Sequence, residues 1–193
     1  MQPFDADKYL GRWHMFRQSA GQDFLKNRDC VVAEYSWLDD AKTRIKAVNS
    51  SQSRVQKDFF DESKGYTLAD RTFIEGKVKR VGEPDEARLA VQFFPFTPWG
   101  SYNVIDTDYE NFAIVYACRN DNISGKLEYA WVIGRDYYAN EEERAQVDEA
   151  PLKAALEKNV PGISYDKIFG DKYAVQGEVN GCKYPEPEDL FVF

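Results

Sequence analysis

The sequence predicts an all-β protein: an eight-stranded antiparallel up-and-down β-barrel with one C-terminal α-helix packed outside it. Two observations predict this fold. Apolar and polar residues alternate with a period of two over most of residues 11–135, and the alternating segments follow one another on mostly short connections. Short connections indicate antiparallel pairing, because parallel strands need crossovers of about a dozen residues. A meander of eight strands removes its unpaired edges by closing into a barrel.

Eight segments are expected to form the strands. They are, in order, Arg12–Gln18, Cys30–Leu38, Thr43–Ser51, Arg71–Val81, Ala87–Phe94, Ser101–Thr107, Asn111–Arg119 and Lys126–Arg135. The seventh segment is apolar on both faces, which is typical of a strand that is covered outside as well as inside the barrel. A sandwich of two sheets is the alternative architecture for the same pattern. Two long segments, Ser19–Asp29 and Gln52–Asp70, interrupt the meander and are expected to be loops.

One helix is expected to cover the seventh strand. Asn140 can cap its N-terminus, with Glu143 three residues later as in a capping box, and its apolar stripe runs to Leu156. Pro151 is expected to kink this helix or split it in two. The chain is therefore expected to be a single domain over residues 1–193, with the barrel at about 11–135, the helix at about 140–158, and a C-terminal strand and tail at 165–193.

The composition restricts the class of protein. With 43% hydrophobic and 15% aromatic residues, the chain is expected to fold as a soluble globular protein rather than remain disordered. The net charge of −8 argues against a nucleic acid or an anionic membrane surface as the main partner. The longest apolar run, Phe112–Cys118, is much shorter than the roughly 20 residues of a membrane-spanning helix, so no integral span is expected.

Three separate segments resemble the signature of the lipocalin family. The stretch Phe4–Trp13 contains a Gly-x-Trp, formed by Gly11 and Trp13, that enters the first strand. The turn Thr107-Asp108-Tyr109 and the lone Arg135 at the end of the eighth strand are similar to the second and third parts of that signature. The resemblance covers about residues 4–182 and is nearest to the apolipoprotein D-like branch, which includes bacterial lipocalins and insect bilin-binding proteins.

This resemblance implies structural roles for two residues. Trp13 is expected to plug the closed end of the barrel, with the guanidinium of Arg135 laid over its indole, a cation–π contact worth about 0.5–2 kcal/mol. Both residues identify the fold and not the ligand.

The resemblance also implies a disulfide between Cys30 and Cys182, which closes a loop of most of the chain and contributes up to about 5 kcal/mol. A disulfide implies secretion or another oxidising compartment, although the first residues carry no secretory signal, which is expected to be absent or already removed. Cys118 has no partner upstream of the first strand, where relatives carry one, and is expected to be a buried free thiol unless that partner was lost with the N-terminus.

Of the two glycosylation sequons, Asn122 is the better candidate, because Asn49 is expected to face the interior.

The family resemblance implies binding and transport of a small hydrophobic molecule inside the barrel. Strand parity predicts the residues that line the interior: Tyr35, Trp37, Ala47, Asn49, Ile74, Val78, Leu89, Val91, Phe93, Tyr102, Val115 and Trp131. Tyr35 and Asn49 match polar pocket residues of the branch and are candidates to orient a polar end of the ligand, or else to bond each other or water. The aromatic side chains favour a flat conjugated ligand such as a bilin, carotenoid, retinoid or steroid. Fatty acids are the alternative ligand class, because the two long loops carry basic residues that could pair with a carboxylate: Lys26, Arg28, Lys57 and Lys64.

Enzymatic activity is not expected. His14 is the single histidine, and its parity is opposite to that of Trp13, so it is expected to face outward. The spacing of the three cysteines fits no metal site, and no cofactor is expected beyond a non-covalently bound pigment or lipid. The alternatives are a lipocalin-type enzyme acting on a lipid or isoprenoid substrate, and a partner-binding protein whose barrel is filled by its own side chains. The oligomeric state is expected to be monomer or dimer.

Overall fold

The computed structural model describes residues 3–19, 22, 25–83, 86–121, 125–138 and 140–186. Its strands form a closed antiparallel barrel in which each strand pairs with its sequence neighbours and the first pairs with the last. This confirms the expected fold class over the sandwich. The strands are β1 Gly11–Gln18, β2 Arg28–Trp37, β3 Arg44–Gln56, β4 Tyr66–Arg80, β5 Arg88–Gln92, β6 Gly100–Thr107, β7 Phe112–Asp121 and β8 Gly125–Gly134.

Strands β3 and β4 are longer than expected. The segment Gln52–Asp70 is not a long loop, because the ladder continues past a bulge to the pair Gln56 and Tyr66. The extension is polar, so the alternation of apolar residues does not reveal it. Within it, the guanidinium of Arg54 donates two hydrogen bonds of 2.6 and 2.7 Å to the buried carboxylate of Asp29 on β2. Only residues 57–65 form the turn, and its two phenylalanines are almost fully exposed.

Four short α-helices lie within the described ranges: α1 Ala6–Tyr9, α2 Glu141–Ala145, α3 Ala150–Asn159 and α4 Tyr165–Phe169. The expected helix after Asn140 is divided into α2 and α3, and Pro151 lies in the first turn of α3, where its missing N–H needs no partner. The cap also forms as expected, since the Asn140 side chain accepts a hydrogen bond of 2.9 Å from the backbone N–H of Glu143. Leu152 and Leu156 of α3 pack in one cluster with the outer face of β7.

An ion pair between buried Arg17 and half-buried Glu149 attaches the helices to the barrel. Arg17 of β1 donates a hydrogen bond of 2.8 Å to Glu149, and the hydroxyls of Tyr165 and Tyr173 donate to the same carboxylate at 2.5 Å. Burial acts against ionisation of Glu149, yet these hydrogen bonds keep its pKa below the ordinary value. The C-terminal strand expected from residue 165 onward does not form. Helix α4 and a single β-bridge between Arg17 and Tyr173 occupy its place. Residues 187–193 of the expected tail lie outside the described residues.

The disulfide between Cys30 and Cys182 is present, with 5.5 Å between the two Cα atoms and a sequence separation of 152 residues. It holds the segment that follows Cys182 against the outside of the barrel. There the backbone N–H of Lys183 donates to the side-chain oxygen of Gln52 at 2.8 Å, and Arg12 donates to the carbonyl of Pro185 at 2.6 Å. Cys118 is half-buried and unbridged. The candidate glycosylation site at Asn122 lies outside the described residues.

Within the described ranges, none of the helices is both long enough and apolar enough to cross a bilayer.

Candidate ligand-binding cavity

The barrel encloses a cavity with a volume of about 780 Å³. Its floor includes Trp13, which is fully buried, and its upper wall reaches the β5–β6 connection at Phe94 and Thr97. The upper half is not filled by side chains, in contrast to the packed core around Trp13. A cavity of this size falls in the range of small-molecule sites in proteins, about 300–1,000 Å³.

Nine of the twelve predicted interior residues line this cavity: Tyr35, Ala47, Asn49, Ile74, Val78, Val91, Phe93, Tyr102 and Trp131. The other three do not. Leu89 and Val115 are buried in the packed core with Trp13, and the indole N–H of Trp37 donates to Asp7 of α1 at 2.8 Å. Parity identifies the inward face of a strand but not the height at which the packed floor ends, and this explains all three differences.

Several wall residues were missed by the sequence prediction. Val31 and Ala33 share the inward face of β2 with Tyr35, and Tyr129 and Ile133 share the face of Trp131, so parity alone would have found them. Leu25 comes from the β1–β2 connection, where no periodic pattern indicates its position.

The closed end is built around Trp13 and Arg135. The guanidinium carbon of Arg135 lies 3.7 Å from the centre of the Trp13 ring. The same guanidinium donates hydrogen bonds of 2.7–3.0 Å to four backbone carbonyls, those of Lys8, Leu10, Arg12 and Tyr109. Gly11 is required beside it, because its φ is +92° and a Cβ there would lie 3.3 Å from the Arg135 side chain.

The turn Thr107-Asp108-Tyr109 joins β6 to β7 at this closed end. The carboxylate of Asp108 accepts hydrogen bonds from the backbone N–H groups of Glu110, Asn111 and Phe112 at 2.8–3.1 Å. Burial opposes ionisation of Asp108, but these bonds hold its pKa below the ordinary value. The hydroxyl of Tyr109 in turn accepts from the backbone N–H of Asp5 at 2.9 Å, which ties the N-terminal segment to the turn.

Three tyrosine hydroxyls form a chain at the base of the cavity. The Tyr102 oxygen lies 2.8 Å from that of Tyr9 and 2.7 Å from that of Tyr35. Burial raises the pKa of all three well above 10, so they stay neutral. The hydroxyl of Tyr35 thus bonds Tyr102 and not Asn49, which was the partner in one of the alternatives considered from the sequence. The amide oxygen of Asn49 is buried and accepts no hydrogen bond from the described residues.

Aromatic rings form much of the wall. Trp131 stacks on Tyr102, with 6.4 Å between ring centres and 21° between the planes, and its indole N–H donates to Gln22 at 2.8 Å. Phe93 lies against the backbone of Gly76, where an added Cβ would come within 2.7 Å of the ring. The glycine thus provides the space that the phenylalanine ring occupies.

Of the described residues that line the cavity, Arg28 and Arg119 are charged, and both lie near the open end. Arg28 donates to the hydroxyl of Thr72 at 2.7 Å. The other basic residues considered from the sequence, Lys26, Lys57 and Lys64, do not line it, and Lys64 is paired with Asp58 at 2.6 Å. Any anionic group of a ligand would find its cationic partner at the opening and not at the base.

His14 faces outward, as parity predicts. It packs against the rings of Tyr137 and Tyr184 at 5.0 and 5.1 Å between ring centres, outside the cavity. Burial lowers the pKa of His14 to about 4, with a further contribution from the charges of Arg12 and Arg71. No cluster of His, Cys, Asp or Glu side chains suited to a metal ion occurs within the described part of the chain.

Comparison with known proteins agrees with this geometry. The profile of the lipocalin / cytosolic fatty-acid binding protein family matches residues 10–154, and the chain belongs to this family. Within it, the chain is an apolipoprotein D-like lipocalin. It is 33% identical to apolipoprotein D of Mus musculus over 135 residues, which are 70% of this chain and 62% of that relative. It is 23% identical to the Lazarillo protein of Schistocerca americana over 157 residues, 81% of this chain and 67% of that relative.

Solved structures show the same fold. Lobster apocrustacyanin A1 superposes with a TM-score of 0.62 at 18% identity, covering 90% of this chain and 80% of that one. Insecticyanin from the tobacco hornworm Manduca sexta gives a TM-score of 0.59 at 17% identity, covering 92% and 88%. Identities this low establish the fold alone. The chain spans about three fifths of the length of apolipoprotein D.

Proposed function

We propose that this protein binds a small hydrophobic molecule reversibly in the barrel cavity and transports it. The observation that carries the proposal is the unfilled, aromatic-walled cavity of about 780 Å³ above the packed floor. Burying about 300 Å² of ligand at about 25 cal/mol/Å² gives about 7 kcal/mol, from which the loss of translational and rotational freedom subtracts. Contacts with the aromatic walls are therefore needed for micromolar affinity.

The preferred ligand in this proposal is flat and conjugated, such as a bilin, carotenoid, retinoid or steroid. The stacked pair of Tyr102 and Trp131 and the ring of Phe93 support this choice, because each aromatic contact adds about 0.5–1.5 kcal/mol beyond burial. Arg28 at the opening is positioned for an acidic group, so fatty acids and propionate-bearing pigments remain within the tested classes.

Direct binding measurements test the proposal. Retinoids, tetrapyrroles and fatty acids are titrated against the wild type, against Trp131→Ala, and against Trp99→Ala as the matched control. Trp99 does not line the cavity and its ring packs against Lys79 at 4.3 Å, so its loss should leave affinity unchanged. We expect Trp131→Ala to weaken binding about 5- to 10-fold without unfolding the protein. Equal affinities for all three proteins would contradict the assignment of the site.

Two further measurements separate the ligand classes and the alternatives. The absorption spectrum of protein from its natural source should show a visible band if the ligand is a pigment, whereas a colourless protein that releases acyl chains on extraction would point to lipid. Each ligand that binds is also incubated with the protein and extracted. Mass spectrometry should find the extracted ligand chemically unchanged, because we propose a carrier. Recovery of a chemically altered ligand would replace the carrier by the enzyme alternative.

We also propose that the protein is secreted or resides in another oxidising compartment. The bond between Cys30 and Cys182 supports this, because disulfides persist in such compartments and are rare in the cytosol.

A further inference from the structure

The tyrosine chain at the base of the cavity contains one hydroxyl proton more than its hydrogen bonds use. Tyr9, Tyr35 and Tyr102 supply three O–H donors, and the two contacts between them consume two. No other group among the described residues accepts a hydrogen bond from these hydroxyls. Because nearly all buried polar groups in folded proteins find a partner, the third proton is available for a hydrogen bond to a group other than these three tyrosines.

A group in the cavity can reach the spare proton only at Tyr35 or Tyr102. Tyr35 and Tyr102 both line the cavity, whereas Tyr9 lies on α1, is almost fully buried and packs against Trp13 with 5.3 Å between ring centres. Tyrosine hydroxyls rotate freely enough to reverse the direction of a chain. A ligand acceptor at the base therefore selects the arrangement in which Tyr35 or Tyr102 donates into the cavity.

Among the residues that the structure describes, no cationic side chain lines the base of the cavity. The cationic lining residues, Arg28 and Arg119, are near the opening. Arg135 lies below the floor and its N–H groups are used by four backbone carbonyls. A carboxylate placed at the base would lose its hydration without gaining a cationic partner, which is strongly unfavourable. An uncharged acceptor loses much less.

We propose that Tyr35 and Tyr102 form a hydrogen-bond donor site that selects ligands whose inner end carries an uncharged acceptor, such as a ketone, aldehyde or lactam carbonyl. This inference rests on the proposed function and specifies the chemistry of one end of the ligand. Asn49 provides a second polar position one step nearer the opening. It lies two residues beyond Ala47, which is paired with Tyr35, so it stands about 7 Å higher along the strand.

The test uses three flat probes with one ring system. Fluorene has a methylene group where 9-fluorenone has a carbonyl, and fluorene-9-carboxylate carries a charge at the same position. Dissociation constants are measured by equilibrium dialysis at neutral pH. We expect the wild type to bind 9-fluorenone about 3- to 10-fold more tightly than fluorene, the range of one net hydrogen bond, and to bind the carboxylate more weakly than the ketone.

Two variants identify the donors. Tyr35→Phe combined with Tyr102→Phe removes both hydroxyls that line the cavity, and the preference for 9-fluorenone over fluorene should disappear. Tyr9→Phe is the matched control, because the remaining pair of hydroxyls still holds one spare proton, and the preference should persist. The ratio of two affinities in one protein is insensitive to a general loss of stability, so a variant that is merely destabilised does not imitate this result.

The outcomes distinguish the two proposals. If the wild type binds fluorene as tightly as 9-fluorenone, or the double variant keeps the preference, or the carboxylate binds best, the donor site is refuted and the carrier function stands. If the wild type binds neither probe nor any member of the wider ligand panel, the proposed function fails and the donor site fails with it.

Discussion

The single histidine should make stability depend on pH in a way that one substitution removes. His14 is buried between Tyr137 and Tyr184, and the cations that face it are Arg12 and Arg71. Burial first, and these two charges second, lower its pKa from 6.5 to about 4. His14→Phe keeps an aromatic ring in the same place and removes the titrating group.

Proton binding to His14 sets the direction and the size of the change in unfolding free energy with pH. Above pH 6.5 the imidazole is neutral in both the folded and the unfolded chain, so it has no effect on the pH dependence. Below that value the unfolded chain binds a proton that the folded protein resists, and stability falls until the pH reaches about 4. Between pH of about 7.5 and about 4.5, this difference removes about 2.5 kcal/mol from the free energy of unfolding.

Urea denaturation of the oxidised wild type and of His14→Phe at both pH values measures this loss. Carboxylates titrate in the same range, but their contribution is common to both proteins and cancels in the difference. The wild type should lose about 2.5 kcal/mol more than the variant between the two pH values. Equal losses would show that the imidazole binds its proton equally well in the folded and unfolded chains, and the account of its burial would be wrong.

Three further variants test the closed end, the disulfide and the cavity wall. Arg135→Lys should lower the free energy of unfolding by about 2–4 kcal/mol, since an ammonium group cannot reach four carbonyls from one plane. Cys30→Ala with Cys182→Ala should lower it by up to about 5 kcal/mol, because the bond closes a loop of 152 residues in the unfolded chain. Gly76→Ala should displace Phe93 and weaken binding of flat ligands about 3- to 10-fold, measured by titration.

Each of these variants has its own control. The reduced wild type should match the double alanine variant in denaturant, and a difference of more than about 1 kcal/mol would mean that the cysteine side chains matter apart from the bond. Unchanged stability in Arg135→Lys would show that the carbonyls find other donors. For Gly76→Ala, the control is the same substitution in a Phe93→Leu background: if it lowers the affinity no further there, the clash with the ring is responsible. Unaltered affinity in the single variant would exclude that clash.

The sequence predicts the barrel well because its information is local. An inward residue recurs at every second position, and a one-residue error would bury charges such as Lys46 or Lys77 inside the barrel. The same signal fails where strands leave the core. The extension of β3 and β4 is polar, and its Arg54 pairs with Asp29 of β2, which is distant in sequence, so no local pattern reveals it. Helix α4 takes the place of part of an expected strand, and its Tyr165 donates a hydrogen bond to Glu149, a residue on a different element.

The site was predicted less completely, for a geometric reason. Alternation assigns a face to each residue, but the height of the packed floor depends on how α1 closes the barrel. Tyr9 on α1 was not a candidate site residue, and yet it supplies one end of the tyrosine chain. The partner of Tyr35 proved to be Tyr102, the residue whose strand shows the weakest alternation. Such pairings depend on the closure of the whole barrel and have no signature in a single strand.

The anchors that hold the barrel together lie away from its open cavity. Trp13 forms part of the floor and Arg135 lies beneath it, while the disulfide and the Glu149 network act on the outer surface. A barrel with an unfilled interior loses the packing that a full core would contribute, so stability has to come from these positions. It follows that wall residues such as Trp131 can be changed without unfolding the protein, and that ligand preference can be altered at the wall without rebuilding the fold.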